Sequence, residues 1–199
     1  MNFIKAITLC ALISVSACGT AETVEPSTTW ALDSANSRVN FISIKKGNIG
    51  ESHDFTDLSG VITDNTPTIT IKPDSIESHV PIRNERMREL LFETGLYPTI
   101  EVKADAVPQL GSMKTGDSLL ATIPASLSMH GVSHTLDLEL RISKLNKQTL
   151  IVSSTQPVIV RAADYNMVEG IVKLSALVNN LAIAESVPVS FSLQFKLAK

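Results

Sequence analysis

The residues of this chain best suited to chemistry are its four histidines, His53, His79, His130 and His134. His130 and His134 stand four apart, a spacing that on a helix puts two metal ligands on one face. Here they flank Gly131 in the stretch His130-Gly131-Val132-Ser133-His134, between two alternating runs, and His130 lacks the following glutamate of a zinc-protease motif. A hairpin turn with His130 bonding backbone groups is therefore expected instead of a metal site. No G-x-S-x-G occurs, and the serines fall mostly on the polar faces of alternating runs. Asp33, Asp54, Asp57 and Asp137 have no spacing that pairs them, and they read as parts of solvated faces. The sequence offers no catalytic constellation, and an enzyme is not expected.

The elements that carry these residues are mostly strands. Residues 118–142 contain two alternating runs. Ala121, Ile123, Ala125, Leu127 and Met129 oppose Thr122, Pro124, Ser126 and Ser128; beyond the turn, Leu136, Leu138, Leu140 and Ile142 oppose Thr135, Asp137, Glu139 and Arg141. A two-residue period is that of a half-buried strand, and Gly131 supplies the positive φ of a tight turn. Strand character recurs at 37–46, 54–63 (through Leu58, Val61 and Ile62, broken by Gly60), 68–72, 98–106 and 147–161. The run from Val187 to Leu197 alternates most cleanly of all. Pro188 within it suits a strand start or an edge. Two stretches change period: 81–93, with Pro81 at a first helical position and Met87, Leu90 and Leu91 recurring, and 169–181, with Ile171, Leu174, Leu177, Val178 and Leu181. About eight strands with one apolar face each, plus one or two short helices, predict a closed antiparallel β-barrel, because closure removes exposed edges. Such a barrel either holds a small ligand or fills itself with side chains.

The N-terminus reads as an address. Lys5, the apolar run 6–15 and the small residues Ser16-Ala17 form a signal peptide over 1–17, too short to span a bilayer. Val15-Ser16-Ala17-Cys18 resembles a bacterial lipobox, which implies cleavage before Cys18, lipidation of Cys18, and a tether over 18–29. Gly19 in place of Asp implies the outer membrane, facing the periplasm. Cys10 leaves with the signal, so the domain from 30 to 199 has no disulfide and rests on its core. With 17 basic and 20 acidic residues the chain has no basic excess, which argues against nucleic acid.

Three stretches resemble the YceI-like family: Trp30-Ala31-Leu32-Asp33 with Ser37-Arg38-Val39-Asn40-Phe41, the segment RNERMRELLFETGLYPTIEVKA (83–104), and LSMHGVSHTLDLEL (127–140). Their order covers 30–199. The resemblance implies a lipocalin-like barrel whose interior holds an isoprenoid, such as a prenylated quinone or polyprenyl phosphate, with no other cofactor. The chain departs from the family pattern at 45–54, where Lys45-Lys46-Gly47-Asn48 replaces an aliphatic "HLG" type segment, and at 164–184, a helix-like insertion. Both are expected near the barrel mouth.

The residues expected to line a ligand site are Val39, Phe41, Ile71, Ile100, Val102, Ile123, Leu127, Met129, Leu136, Leu138, Val160, Phe191, Leu193 and Phe195 on strands. Met87, Leu90, Leu91 and Phe92 join them from a helix that caps one end, where they either gate a cavity or plug the core. Aromatics are 5% of the chain, so aliphatic and small side chains would do most of the lining. The expected function is a lipid-anchored envelope protein carrying an isoprenoid or similar amphiphile. The rival is a structural or stress-response interaction protein with a self-filled barrel. Homodimerisation is left open.

Overall fold

The computed structural model describes residues 28–107 and 109–198. The expected signal peptide, Cys18 and nearly all of the tether lie outside the described residues. Twelve strand segments and two helices follow one another: β1 (Thr29–Leu32), β2 (Arg38–Lys45), β3 (Ile49–Phe55), β4 (Leu58–Thr63), β5 (Thr66–Ile71), β6 (Ile76–Glu77), α1 (Pro81–Arg86), β7 (Ile100–Ala104), β8 (Ser118–Met129), β9 (Val132–Asn146), β10 (Thr149–Ser154), β11 (Val158–Arg161), α2 (Val168–Ala176) and β12 (Ser186–Leu197).

In space these segments make eight antiparallel strands. β12 pairs β2 through Val189–Ser192 and β1 through Phe195–Leu197, so β1 and β2 are one strand interrupted by a 3-10 turn at Ser34–Asn36. In the same way β3 runs on into β4, β5 into β6 across the turn Pro73–Ser75, and β10 into β11. The ring β1/β2, β3/β4, β5/β6, β7, β8, β9, β10/β11, β12 closes where Trp30 stands opposite Leu197. A closed barrel leaves no unpaired edge to template aggregation.

The expected elements are corrected at three places. The polar stretch Ile49–Phe55 is a full strand. Gly60 does not break its strand but sits beside Ile69, whose Cδ1 would lie 2.7 Å from a Cβ there, and Val61 points outward. Helix α2 stops at Ala176 instead of 181, because Asn179 and Asn180 take left-handed φ of 59° and 55°.

The two ends of the barrel differ. At one end lie the chain's entry into β1, the β4–β5 turn and the β9–β10 turn. Beneath them Val107, Leu110 and Met113 are folded into the core, with the Val107 N–H donating to the Asn65 carbonyl at 3.0 Å. Trp30, Ile62, Ile142, Leu150 and Phe195 are buried at this end. Lys144 lays its stem there, with Nζ 5.8 Å from the Trp30 ring centre and donating to the Met113 carbonyl at 2.8 Å. At the other end lie the β2–β3 and β8–β9 turns and both helices. The β8–β9 turn is His130-Gly131 with φ of 51° and 77°, the double positive φ of a type I′ turn, so His130 shares the left-handed requirement with Gly131.

Candidate ligand cavity

Between the plugged end and the helices runs a cavity of about 220 Å³. It exists because neighbouring inward positions of β7 and β8 carry alanine: Ala104 and Ala125 are cross-strand partners in the wall, and their small side chains leave the bore beside them unfilled. Every lining residue is apolar except Glu185, which is exposed. Burial falls along the bore. Ile62, Phe195, Ile142 and Val107 are nearly inaccessible, whereas Leu127, Met129, Leu136, Val187 and Val189 are only partly covered. The bore is thus blind at the plugged end and open toward the helices.

Of the residues singled out in the sequence, Val39, Phe41, Ile71, Leu91, Phe92, Ile100, Val102, Ile123, Leu127, Met129, Leu136, Leu138, Val160, Phe191, Leu193 and Phe195 line this cavity. Met87 and Leu90 do not. Helix α1 continues as a π-helical turn, Met87–Leu91, in which the Phe92 N–H bonds the Met87 carbonyl at 2.9 Å. The wider i→i+5 turn shifts the inward face by one residue. Met87 is buried in the core outside the bore, and Leu90 is half-buried with its carbonyl against Gly170 of α2. Sequence reasoning also missed Phe55, Ile69, Leu140, Ile142, Val152, Met167 and Ile171, among others. For most of these the signal was available, since they share the two-residue register of neighbours already chosen.

The mouth is narrowed by the two helical segments packed on each other. A Cβ on Gly170 of α2 would lie 2.5 Å from the Leu90 carbonyl oxygen and 2.9 Å from the Leu91 Cα, so only glycine allows this approach. Leu91 and Phe92 from one segment, and Met167 and Ile171 from the other, face the bore. Phe92 meets Phe55 and Phe41 edge-on at 5.6 and 6.5 Å between ring centres. Both departures from the family pattern, the β2–β3 region and α2, lie at this end.

The polar groups of the site belong to its frame. The His130 Nε2 lies 2.8 Å from Glu93 Oε2 and its ring is 4.1 Å from that of Tyr97, tying the β8–β9 turn to the segment after the π turn. This corrects the expectation that His130 bonds backbone groups. The ring of His134 packs instead on Tyr165, 5.3 Å away, so the two histidines serve separate contacts. Burial, with Asp164 nearby, pushes the Tyr165 phenol above its ordinary pKa. His53 is buried under α1 with Nε2 2.7 Å from Ser43 Oγ; burial, then the Arg83 guanidinium, push it below its ordinary value. No three metal-type ligands converge among the described residues.

An eight-stranded antiparallel barrel with a blind apolar bore and a helix-narrowed mouth defines a lipocalin-like protein. The YceI-like domain family matches over residues 30–195, and the chain belongs to that family. It is 32% identical to a polyisoprenoid binding domain from Saccharophagus degradans implicated in plant cell wall breakdown, with a TM-score of 0.82 over 85% of this chain and 98% of that one. BcnA of Burkholderia cenocepacia shares the fold at 16% identity and a TM-score of 0.61, over 82% of this chain and 98% of its own. No curated protein matches the chain.

Proposed function

We propose that this protein binds one chain-like apolar lipid, an isoprenoid or similar amphiphile, with its tail in the bore and its head at the mouth. The observation that carries this reading is the lining: a continuous apolar wall around about 220 Å³, with one charged residue, Glu185, at its rim. An apolar cavity of ~150 Å³ already takes a benzene-sized guest. A tail of about fifteen carbons would gain roughly 12 kcal/mol on burial. An association cost of about 4 kcal/mol leaves ~8 kcal/mol, a micromolar affinity. The lining holds an acid and no cation, which favours an uncharged head, as in a prenylated quinone, over a polyprenyl phosphate. The similarity to the polyisoprenoid binding domain of Saccharophagus degradans supports the same ligand class. A barrel filled by its own side chains, the rival reading, is disfavoured by the open bore.

The same proposal places the protein at the cell envelope, anchored through Cys18 to the outer membrane and facing the periplasm; the lipobox-like Val15-Ser16-Ala17-Cys18 supports it. Organic extraction of the purified protein followed by mass spectrometry is expected to return a prenyl-chain lipid at close to one per chain. Repeated recovery of bare protein from membranes rich in such lipids would overturn the carrier reading.

A further inference from the structure

The inward face of the barrel changes character beyond Phe41 and Phe55. The next inward positions of β2 and β3 are Ser43, Lys45, Glu51 and His53, and α1 lies over them. Lys45 Nζ is 2.7 Å from Glu51 Oε1, and Arg83 of α1 reaches Glu51 Oε2 at 3.1 Å. His53 sits under this ion cluster, 1% exposed, bonded once to Ser43 and with Nδ1 lacking any partner. Its ring is 5.0 Å from Phe41, whose ring in turn meets Phe92 at the mouth. The hinge side of the segment is pinned separately: Asn84 Oδ1 accepts from the Ser78 N–H and hydroxyl, and its Nδ2 donates to Glu77 Oε1 at 3.1 Å.

We propose that Pro81–Phe92 is a lid over the cavity mouth, and that protonation of His53 releases it. A buried imidazole with one hydrogen bond is tolerated while neutral. Once protonated it carries an unpartnered N–H and a charge beside the Arg83 guanidinium, and both are relieved when α1 lifts and water reaches the ring. The charged and titratable groups around it are Glu51 and Asp54 on β3, Lys45 on β2, Arg83 on α1, and His79 and Glu77 in the connection to α1. Glu51 and Asp54 favour the proton, but burial and Arg83 outweigh them. The sign follows: the closed lid holds His53 below its ordinary value, so closure is fully favoured above about pH 6.5 and weakens as pH falls from there. Glu51 and Glu77 are both held below the usual carboxylate range, so they stay ionised between pH 7.5 and 5.5 and do not contribute to the step. The lid rests on the ligand reading only for its purpose, since its opening is measurable without ligand.

The test is amide hydrogen exchange of the ligand-free protein at pH 7.5 and 5.5, corrected for intrinsic exchange, in the parent and in His53→Gln. The glutamine retains a group able to bond Ser43 but does not titrate; His79 and His130 are common to both proteins. Protection across 83–92 is expected to fall at least about threefold on acidification in the parent, relative to 136–142 in β9, and to stay level in His53→Gln. As a second measurement on the parent alone, the His53 ring signal followed by NMR should titrate with the same midpoint as the loss of protection. Unchanged lid protection in the parent, an equal fall in His53→Gln, or a ring that protonates with the lid still protected would each overturn the proposal. Release of N-phenyl-1-naphthylamine over the same pH range then bears on the carrier reading separately: lid opening without dye binding removes the ligand and leaves the lid.

Discussion

Replacing Gly170 with alanine probes the joint that narrows the mouth. In an ordinary helix this change stabilises by about 0.5–1 kcal/mol, because alanine loses less backbone freedom on folding. Here the new Cβ would stand 2.5 Å from the Leu90 carbonyl oxygen, about 0.9 Å short of ordinary contact, and 2.9 Å from the Leu91 Cα. Both are backbone atoms, so no rotamer change relieves the clash and the two helical segments must part. Overpacking of this kind costs roughly 1–3 kcal/mol, which outweighs the helical gain and leaves a net loss of about 0.5–2 kcal/mol. Urea unfolding followed by Trp30 fluorescence would read the loss. Dye release from the bore should quicken at the same time, because Leu91 and Ile171 line the mouth on either side of the joint. A variant as stable as the parent or more so, with unchanged release, would refute the packing argument.

Further outcomes follow from the difference between the two ends. Leu150→Ala, at a position with no exposure at all, should cost about 2–5 kcal/mol in urea unfolding, whereas Leu127→Ala at the half-covered mouth should cost much less and chiefly weaken ligand binding. His130→Asn keeps a residue that tolerates the left-handed φ of the turn but removes both the ring against Tyr97 and the bond to Glu93, so exchange across 93–97 should rise while the global unfolding midpoint moves little. Glu77 is held below the usual carboxylate range by Asn84, so the tie ahead of α1 should persist down to about pH 4.5 and loosen below it, read as exchange of the Ser78 and His79 amides. Cys18→Ser should abolish metabolic palmitate labelling; undiminished labelling would remove the anchor from the account.

The long strands were legible because their inward face is uniformly apolar. Val187 to Phe195 and Leu136 to Ile142 announce their register in the sequence, and the structure places all of them as that register requires. The stretch Ile49–Phe55 was not legible as a strand, since its inward positions Glu51 and His53 are polar for the sake of the cluster under α1. The plug at the blind end was hidden for a related reason: Val107, Leu110 and Met113 are spread through a polar loop with no period. An α-helical period turns Met87 and Leu90 toward the bore, and the π turn breaks that period by one residue. No local rule in the sequence marks that turn; it accompanies the close approach of Gly170, a contact between segments some eighty residues apart.

The central claim is that the ligand's tail lies in the bore, and Ala125→Phe tests it most directly. Ala125 is 3% exposed and lines the cavity beside its cross-strand neighbour Ala104, so a phenyl ring there would occupy the space the tail needs. Isothermal titration with a detergent-dispersed prenylated quinone should give one site per chain in the parent. In Ala125→Phe, whose unfolding midpoint should match or exceed that of the parent because a void has been filled, binding should be lost. A folded Ala125→Phe protein that still binds one quinone with the parent's affinity would contradict the account.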